Sequence, residues 1–204
     1  MKVLCVGSNY AHHAREMGGA VPRTPIWFWK PDSAIVYDGE PVVLPHDVGA
    51  VHHEAELAVR LGMDARRVSP ANGRRCIDAF TIAVDVTARD LQQQAKHEGR
   101  PWAQAKGFDT FLPLGNWVDA TYADLQTLRL RLELDGRIRQ DGYTRDMTWD
   151  AGMLVSLASQ WTTLRTGDVL LTGTPEGVGP LEAGQTMRAL VVDHVTLCNP
   201  IIAA

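Results

Sequence analysis

The stretch Leu128-Arg-Leu-Arg-Leu-Glu-Leu134 alternates leucine with charged residues, and Asp135-Gly136 follows it directly. Alternation with a period of two places every leucine on one face of a β-strand. An Asp-Gly pair after such a strand favours a tight turn, so the chain should return as a second strand through residues 137–140. The stretch therefore predicts an antiparallel hairpin with one buried face.

Shorter apolar runs on both sides of this hairpin predict that strands dominate the chain. They cover residues 3–6, 26–30, 34–37, 51–60, 80–87, 168–172 and 187–192. Three short helices are predicted at residues 9–17, 88–98 and 151–161, the first capped by Ser8 and the last by Asp150. We expect a β-rich α+β fold, built on a twisted mixed sheet or a sandwich rather than on a doubly wound parallel sheet.

The composition is typical of a globular protein with one domain. Of the 204 residues, 45% are hydrophobic and 22% are charged, and the formal net charge is −4. This mild acidity argues against a nucleic-acid partner, and no apolar run reaches the roughly 18 residues that a membrane span requires. The cysteines Cys5, Cys76 and Cys198 form no Cys-x-x-Cys pair, which is typical of a reducing cytosol, so we expect a cytoplasmic protein.

Three carboxylates have surroundings that indicate a metal site. Glu54 and Glu56 are two residues apart, so a strand would place both on one face. Asp85 lies in an otherwise apolar strand, where an unpaired charge would be unfavourable. Three converging carboxylates would suit a hard cation, Mg²⁺ or Mn²⁺, rather than zinc. The alternative is a solvated edge strand with Asp85 paired to Arg89.

Two further features could take part in catalysis. His13 and Glu16 are three residues apart on the first predicted helix, where a carboxylate can fix the imidazole tautomer and raise its basicity. The loop Leu171-Thr-Gly-Thr-Pro-Glu-Gly-Val-Gly179 could present N–H groups to an anion. Taken singly, the first could be a surface pair and the second a plain connection between strands.

Five segments and this His–Glu pair occur in a characteristic order. The segments are Gly7-Ser-Asn-Tyr10, His53-Glu-Ala-Glu56, Asp85-Val-Thr-Ala-Arg-Asp90, Ala105-Lys-Gly-Phe108 and the loop 171–179. Together they resemble the fumarylacetoacetate hydrolase family, and most of all its small members that act as acylpyruvases or fumarylpyruvate hydrolases. The resemblance runs from about residue 3 to about residue 190.

The resemblance implies a mixed β-sandwich roll, a single catalytic domain over residues 1–204 and a homodimer or a higher assembly. It also implies that Mg²⁺ or Mn²⁺ is bound by Glu54, Glu56 and Asp85, and that a mobile lid carries His13 and Glu16. The positions that match substrate contacts in the family are Arg89, Gln92, Lys106 and Thr174.

Such a site suits the hydrolysis of 2,4-diketo acids, in which a carbon–carbon bond breaks and pyruvate leaves as its enolate. The cation and Lys106 would stabilise the enolate oxygen. His13, backed by Glu16, would activate the attacking water. We therefore expect an acylpyruvase that takes a small diketo acid.

The same enolate arises when oxaloacetate loses CO₂. Tautomerisation of oxaloacetate or of a 2-hydroxydienoate requires only the metal and a proton transfer. The sequence leaves these activities open, as well as an inactive relative that serves as a scaffold.

Overall fold

The computed structural model describes residues 1–204, which form sixteen strands, five short α-helices and two 3-10 helices at Asp32–Ala34 and Thr144–Asp146. The strands are β1 (Val3–Gly7), β2 (Ile26–Lys30), β3 (Ile35–Val36), β4 (Val42–Leu44), β5 (Val51–His53), β6 (Ala55–Leu61), β7 (Ile77–Val84), β8 (Thr87–Ala88), β9 (Leu112–Pro113), β10 (Val118–Asp119), β11 (Arg129–Leu134), β12 (Arg137–Tyr143), β13 (Val169–Leu171), β14 (Gly179–Pro180), β15 (Thr186–Val191) and β16 (Val195–Ala203). The helices are α1 (Ala11–Glu16), α2 (Pro70–Arg75), α3 (Arg89–His97), α4 (Ala103–Lys106) and α5 (Ala151–Ser159).

Two mixed sheets face each other across the core. The larger has the order β10-β7-β6-β13-β1-β2, and the second has the order β12-β11-β15-β16-β4. Each contains one parallel pair, β1 with β13 and β16 with β4. Strand β11 packs on β6, and β15 and β16 pack on β7. The expected β-rich mixed sandwich with short helices is therefore confirmed.

The hairpin that begins at residue 128 forms as predicted. β11 and β12 are antiparallel, and every leucine of the alternating stretch is buried. Asp135 and Gly136 both have positive φ, at 50° and 75°, as a two-residue turn that matches the strand twist requires. This buried face supplies one wall of the core.

The predicted strands 51–60 and 80–87 are each broken in the structure. Glu54 stands alone between β5 and β6, and Asp85 follows the end of β7. The break arises because β5 leaves the large sheet to pair with β8 and β14 in a small third sheet. At the junction the Asp85 N–H donates to the Glu54 carbonyl over 2.8 Å. The prediction that Glu54 and Glu56 share a single strand is therefore wrong.

The first helix also differs from its prediction. It begins at Ala11, and Ser8 does not cap it but has a φ of +58°. Asn9, which was predicted to begin this helix, lies before it. Its side chain connects two distant segments by donating to the carbonyls of Thr172 and Trp149 over 2.7 and 2.9 Å.

The other two predicted helices are confirmed. They are α3 and α5, and Asp150 caps α5 by accepting a hydrogen bond from the N–H of Met153. None of the helices is long and apolar enough to cross a membrane. All three cysteines are free.

Candidate active site

The three predicted carboxylates meet where the large sheet joins the small one. Oxygens of Glu54, Glu56 and Asp85 all lie within 4.8 Å of one another. Their residues are 6%, 1% and 0% exposed. Glu54 reaches this place from the break after β5, Glu56 from β6 and Asp85 from the end of β7. Three buried carboxylates repel one another strongly unless positive charge compensates them.

Lys106 and Arg89 supply part of this positive charge. Lys106 Nζ lies 2.9 Å from Glu54 Oε2 and also donates to Asp85 Oδ2 and to the Thr87 hydroxyl. The Arg89 guanidinium binds the other oxygen of Glu54 and donates to Gln92 Oε1 over 2.6 Å. The alternative that pairs Asp85 with Arg89 is therefore wrong, because the short helix α4 brings Lys106 to Asp85 instead.

A second buried lysine, Lys30, was missed in the sequence. Its Nζ lies 2.9 Å from Asp85 Oδ1, and it donates to the carbonyls of Val86, Lys106 and Phe111 over 3.0, 2.6 and 2.8 Å. The available signal was a lysine at the end of the strand Ile-Trp-Phe-Trp-Lys. A charge that terminates an aromatic strand is easily read as a solvent-exposed end, whereas here it is 2% exposed.

The carboxylates differ in how well they are compensated. Burial and the charges of Asp85 and Glu54 raise the pKa of Glu56 well above its usual range. Burial alone would also raise the pKa of Glu54, but Lys106, Arg89 and His13 hold it well below that range. Burial would lower the pKa of the Lys106 ammonium, yet Asp85 and Glu54 raise it. The negative charge that is least compensated therefore lies at Glu56.

Asp85 Oδ1 is a further sign that the cluster fits a cation. This buried oxygen has the Lys30 ammonium as its charge partner at 2.9 Å and accepts no hydrogen bond from any other group. Ligand oxygens on a six-coordinate Mg²⁺ ion stand about 3 to 4 Å apart at bond lengths of about 2.1 Å. The carboxylate oxygens lie within 4.8 Å of one another, so they would close by up to about 2 Å on binding such an ion. The donor set fits Mg²⁺ or Mn²⁺, both of which prefer oxygen ligands.

His13 and Glu16 form a pair beside a pocket that also contains Glu54 and Glu56. His13 Nδ1 lies 3.1 Å from Glu16 Oε2, and the other oxygen of Glu16 accepts a hydrogen bond from the Gly177 N–H over 3.0 Å. Because a carboxylate can only accept, Nδ1 carries the proton and Nε2 is left for exchange with a ligand. The pocket is lined by His13 together with Ser8, Glu54, Glu56, Arg89, Gln92, Lys96, Trp102, Lys106 and Thr174.

The loop after β13, which was predicted to present N–H groups to an anion, binds groups of the protein itself. The Gly173 N–H donates to Glu56 Oε2 over 2.6 Å, and the Thr174 hydroxyl donates to the Ala55 carbonyl over 2.8 Å. Gly173 has a φ of +92°, and a Cβ there would lie 2.7 Å from the Cβ of Asn9, so glycine is required for this close approach. The loop thus fixes Glu56 and leaves Thr174 at the pocket.

The whole chain matches one known family. The family model described as fumarylacetoacetate (FAA) hydrolase C-terminal matches residues 2–202. The chain belongs to the fumarylacetoacetate hydrolase family. The resemblance seen in the sequence is therefore confirmed, and so is the fold that it implied.

Relatives within the fumarylacetoacetate hydrolase family carry more than one activity in their names. The chain is 46% identical to the mitochondrial oxaloacetate tautomerase FAHD1 of Arabidopsis thaliana over 92% of its own length and 85% of the relative. It is 43% identical to the oxaloacetate tautomerase YcgM of Escherichia coli, with 95% and 89% covered. A fumarylpyruvate hydrolase from Pseudomonas aeruginosa, solved with Mn²⁺ and pyruvate, superposes with a TM-score of 0.96 at 32% identity, with 100% and 90% covered.

Proposed function

We propose that this family member catalyses the enol–keto tautomerisation of oxaloacetate with Mg²⁺ or Mn²⁺ bound by Glu54, Glu56 and Asp85. The observation that carries the proposal is one pocket lined by two of these carboxylates, a buried lysine and a histidine. Two relatives with more than 40% identity are named for this reaction. They favour tautomerisation over the hydrolysis of acylpyruvates, which was the first expectation from the sequence.

The enol and keto forms of oxaloacetate differ in the position of one proton, on the C2 oxygen or on C3. When bound, the cation would supply Lewis-acid stabilisation of negative charge on a 2-keto acid. Lys106 is buried among the same carboxylates and adds positive charge that needs no rearrangement during the reaction. Arg89 and Gln92 line the pocket as donors that can orient the C1 carboxylate, and Thr174 lines it too.

His13 is our candidate for the group that carries the proton to and from C3. Such a group must both accept and give a proton near neutral pH, which imidazole does more readily than other side chains. Glu16 holds Nδ1, so the exchanging nitrogen is Nε2. Lys106 and Arg89, by contrast, are each paired with Glu54. His13 has only Glu16 as a partner, which leaves its imidazole suited to proton exchange.

Lys96 supports a substrate with a second carboxylate. The lysines of the chain are Lys2, Lys30, Lys96 and Lys106, and all except Lys96 are in ion pairs. Its ammonium lies 5.1 Å from the ring centre of Trp102, and both residues line the pocket. A cation without a carboxylate partner at this position can bind the C4 carboxylate of oxaloacetate. Acetylpyruvate carries no charge at that end.

The direct test follows the enol absorbance of freshly dissolved oxaloacetate in the ultraviolet. With Mg²⁺ or Mn²⁺ we expect the protein to accelerate the decay of the enol, and a chelator should abolish the acceleration. Lys106→Met is the matched negative variant, since it removes the buried charge. An equal decay rate with and without wild-type protein at saturating metal would refute the proposal.

Hydrolysis of acylpyruvates is the second candidate, and the His13–Glu16 pair favours it. A histidine backed by a carboxylate can activate a water for attack on a carbonyl. One structural neighbour is named a fumarylpyruvate hydrolase, and fumarylpyruvate is an acylpyruvate. Proton NMR of reactions with acetylpyruvate, fumarylpyruvate and oxaloacetate separates the outcomes. Pyruvate with a carboxylic acid indicates hydrolysis, and pyruvate with CO₂ indicates decarboxylation. No new product and no acceleration of enol decay, despite bound metal, indicate a scaffold.

A further inference from the structure

Gln140 lies behind the active site and binds both residues that flank Glu54. It belongs to β12, in the sheet opposite the carboxylates, and is 1% exposed. Its Oε1 accepts hydrogen bonds from the Ala55 N–H and from His53 Nδ1, each over 3.0 Å. His53 and Ala55 are the immediate neighbours of Glu54, so one carboxamide oxygen holds both ends of the break in which this carboxylate stands.

The other end of the same carboxamide binds the loop after β13. Gln140 Nε2 donates to the Thr174 hydroxyl over 2.8 Å and to the Pro175 carbonyl over 2.9 Å. Thr174 in turn donates to the Ala55 carbonyl. The hydrogen bonds close a ring through Ala55, Gln140 and Thr174. All four hydrogen-bonding positions of the carboxamide are used, which fixes its orientation.

A β-bulge explains why this glutamine points inward. Leu132 pairs with Gln140 and the next residue, Glu133, pairs with Ile138, so Arg139 is an extra residue in β12. Ile138 and Arg139 are both exposed, and Gln140 takes the inward position. A bulge re-aims the side chains that follow it. If residues 138–140 followed regular alternation with no bulge, Arg139 would take the place opposite Leu132 and Gln140 would point to solvent.

The loop also passes close to this bulge. A Cβ on Gly177 would lie 2.2 Å from the Arg139 carbonyl oxygen, and Gly177 has a φ of +92°. The Gly177 N–H is the donor that holds Glu16. The bulge, the loop and the His13–Glu16 pair are therefore in one continuous arrangement.

We propose that Gln140 is a positioning residue, which sets the places of the Glu54 carboxylate and the Thr174 hydroxyl without lining the pocket itself. By positioning Glu54 it affects the affinity for the metal, and by positioning Thr174 it affects the affinity for the organic ligand. The expected effect on substrate binding rests on the proposed function. The expected effect on metal affinity does not depend on which reaction the site catalyses. Removal of partners that orient metal ligands typically weakens metal binding by about 10- to 100-fold.

The experiment compares Gln140→Met with Thr144→Val by calorimetric titration of Mn²⁺ and then of oxalate. Thr144 is buried at the end of the same hairpin and bonds to Leu128 rather than to the site, so its variant controls for lost stability. We expect Gln140→Met to weaken Mn²⁺ binding by about 10-fold or more, while Thr144→Val retains wild-type affinity. Wild-type Mn²⁺ and oxalate affinities in Gln140→Met would show that the glutamine serves stability alone.

Gln140→Glu keeps the test decisive if the methionine variant does not fold. It has the same shape and retains acceptor oxygens for Ala55 and His53, but it loses both donors to the loop. Added negative charge near the carboxylates favours a cation. We therefore expect undiminished Mn²⁺ affinity and weaker oxalate binding to the Mn²⁺ form, and undiminished oxalate binding would overturn the link to Thr174. Both titrations are independent of turnover, so they can succeed even if tautomerase activity is not found.

Discussion

Lys30 Nζ lies 2.9 Å from Asp85 Oδ1, and both side chains are shielded from solvent. Its three hydrogen bonds to backbone carbonyls hold this ammonium in place. Lys106, by contrast, donates only to side chains and lines the pocket. The two lysines on either side of Asp85 therefore differ in kind: Lys30 gives a fixed charge to the fold, and Lys106 gives one that a ligand can reach.

Replacing Lys30 should destabilise the protein strongly. Lys30→Met leaves Asp85 with one fewer compensating charge and takes one hydrogen-bond donor away from each of three carbonyls. Removing one partner of a buried ion pair typically costs about 3–5 kcal/mol, and we expect a loss of that order in the free energy of unfolding, measured by urea denaturation with chelator present. Arg60→Met is the control, because it removes one partner of the exposed pair with Asp78 and should cost about 0–1 kcal/mol. Equal losses in the two variants would contradict the role given to Lys30.

The metal assignment predicts a specific loss in Glu56→Gln. This variant keeps the volume of the side chain and removes the negative charge that is least compensated in the cluster. Because losing a partner behind a ligand already weakens binding by about 10- to 100-fold, loss of a ligand should weaken Mg²⁺ binding by at least about 100-fold. Calorimetry measures it, and Glu182→Gln on the exposed surface is the control. Wild-type Mg²⁺ affinity in Glu56→Gln would exclude this residue as a ligand.

The features that could be predicted from the sequence are those with a local cause. The leucine alternation at residues 128–134 depends only on neighbours in the chain, and it located the hairpin and one face of the core. The spacing of His13 and Glu16 is likewise local, and the two side chains are within hydrogen-bonding distance. The carboxylates at positions 54, 56 and 85 were identified because their residue types are unusual in strands.

The features that escaped prediction depend on contacts between distant parts of the chain. Lys30 is buried because its donors meet carbonyls 56 to 81 residues away, and Gln140 meets Ala55 across 85 residues. No periodicity in the sequence marks such partners. The break at Glu54 has the same origin, since it exists only because β5 changes to another sheet.

The role of His13 predicts a large loss of turnover with intact metal binding. His13→Ala removes the imidazole that faces the pocket, and loss of a general base or acid typically lowers kcat by about 100- to 10,000-fold. The control is His12→Ala, one residue away on the same helix but exposed. We check this prediction by measuring the tautomerase or hydrolase rate and the Mn²⁺ affinity of both variants. If His13→Ala lost the metal as well, the residue would belong to the metal site.

Lys96 predicts a selective effect on dianions. Lys96→Met should raise KM for oxaloacetate by about 10-fold or more, because a charged hydrogen bond contributes about 1.5–3 kcal/mol. The inhibition constant of 2-oxobutyrate, which has a methyl group in place of the C4 carboxylate, should not change. Arg100→Met removes a nearby cation that pairs with Glu98 instead, and it should leave both values unchanged. Equal effects of Lys96→Met on the two ligands would exclude recognition of the second carboxylate.

Oxalate should inhibit competitively, only with metal present, and more tightly than pyruvate. Both candidate reactions pass through negative charge on the C2 oxygen, and a site complementary to that charge favours a ligand that already carries it. Oxalate is planar and doubly anionic, with two oxygens spaced like the carboxylate and enolate oxygens of enolpyruvate, whereas pyruvate offers a neutral keto group. Lys106 lies beside two of the three carboxylates, so Lys106→Met should weaken oxalate more than pyruvate, while His13→Ala should affect neither strongly. Inhibition constants for both ligands, measured with Mg²⁺ and after chelation, decide the matter. Oxalate binding that is weaker than pyruvate binding, or indifferent to metal, would mean that stabilisation of an enolate is not what this pocket does.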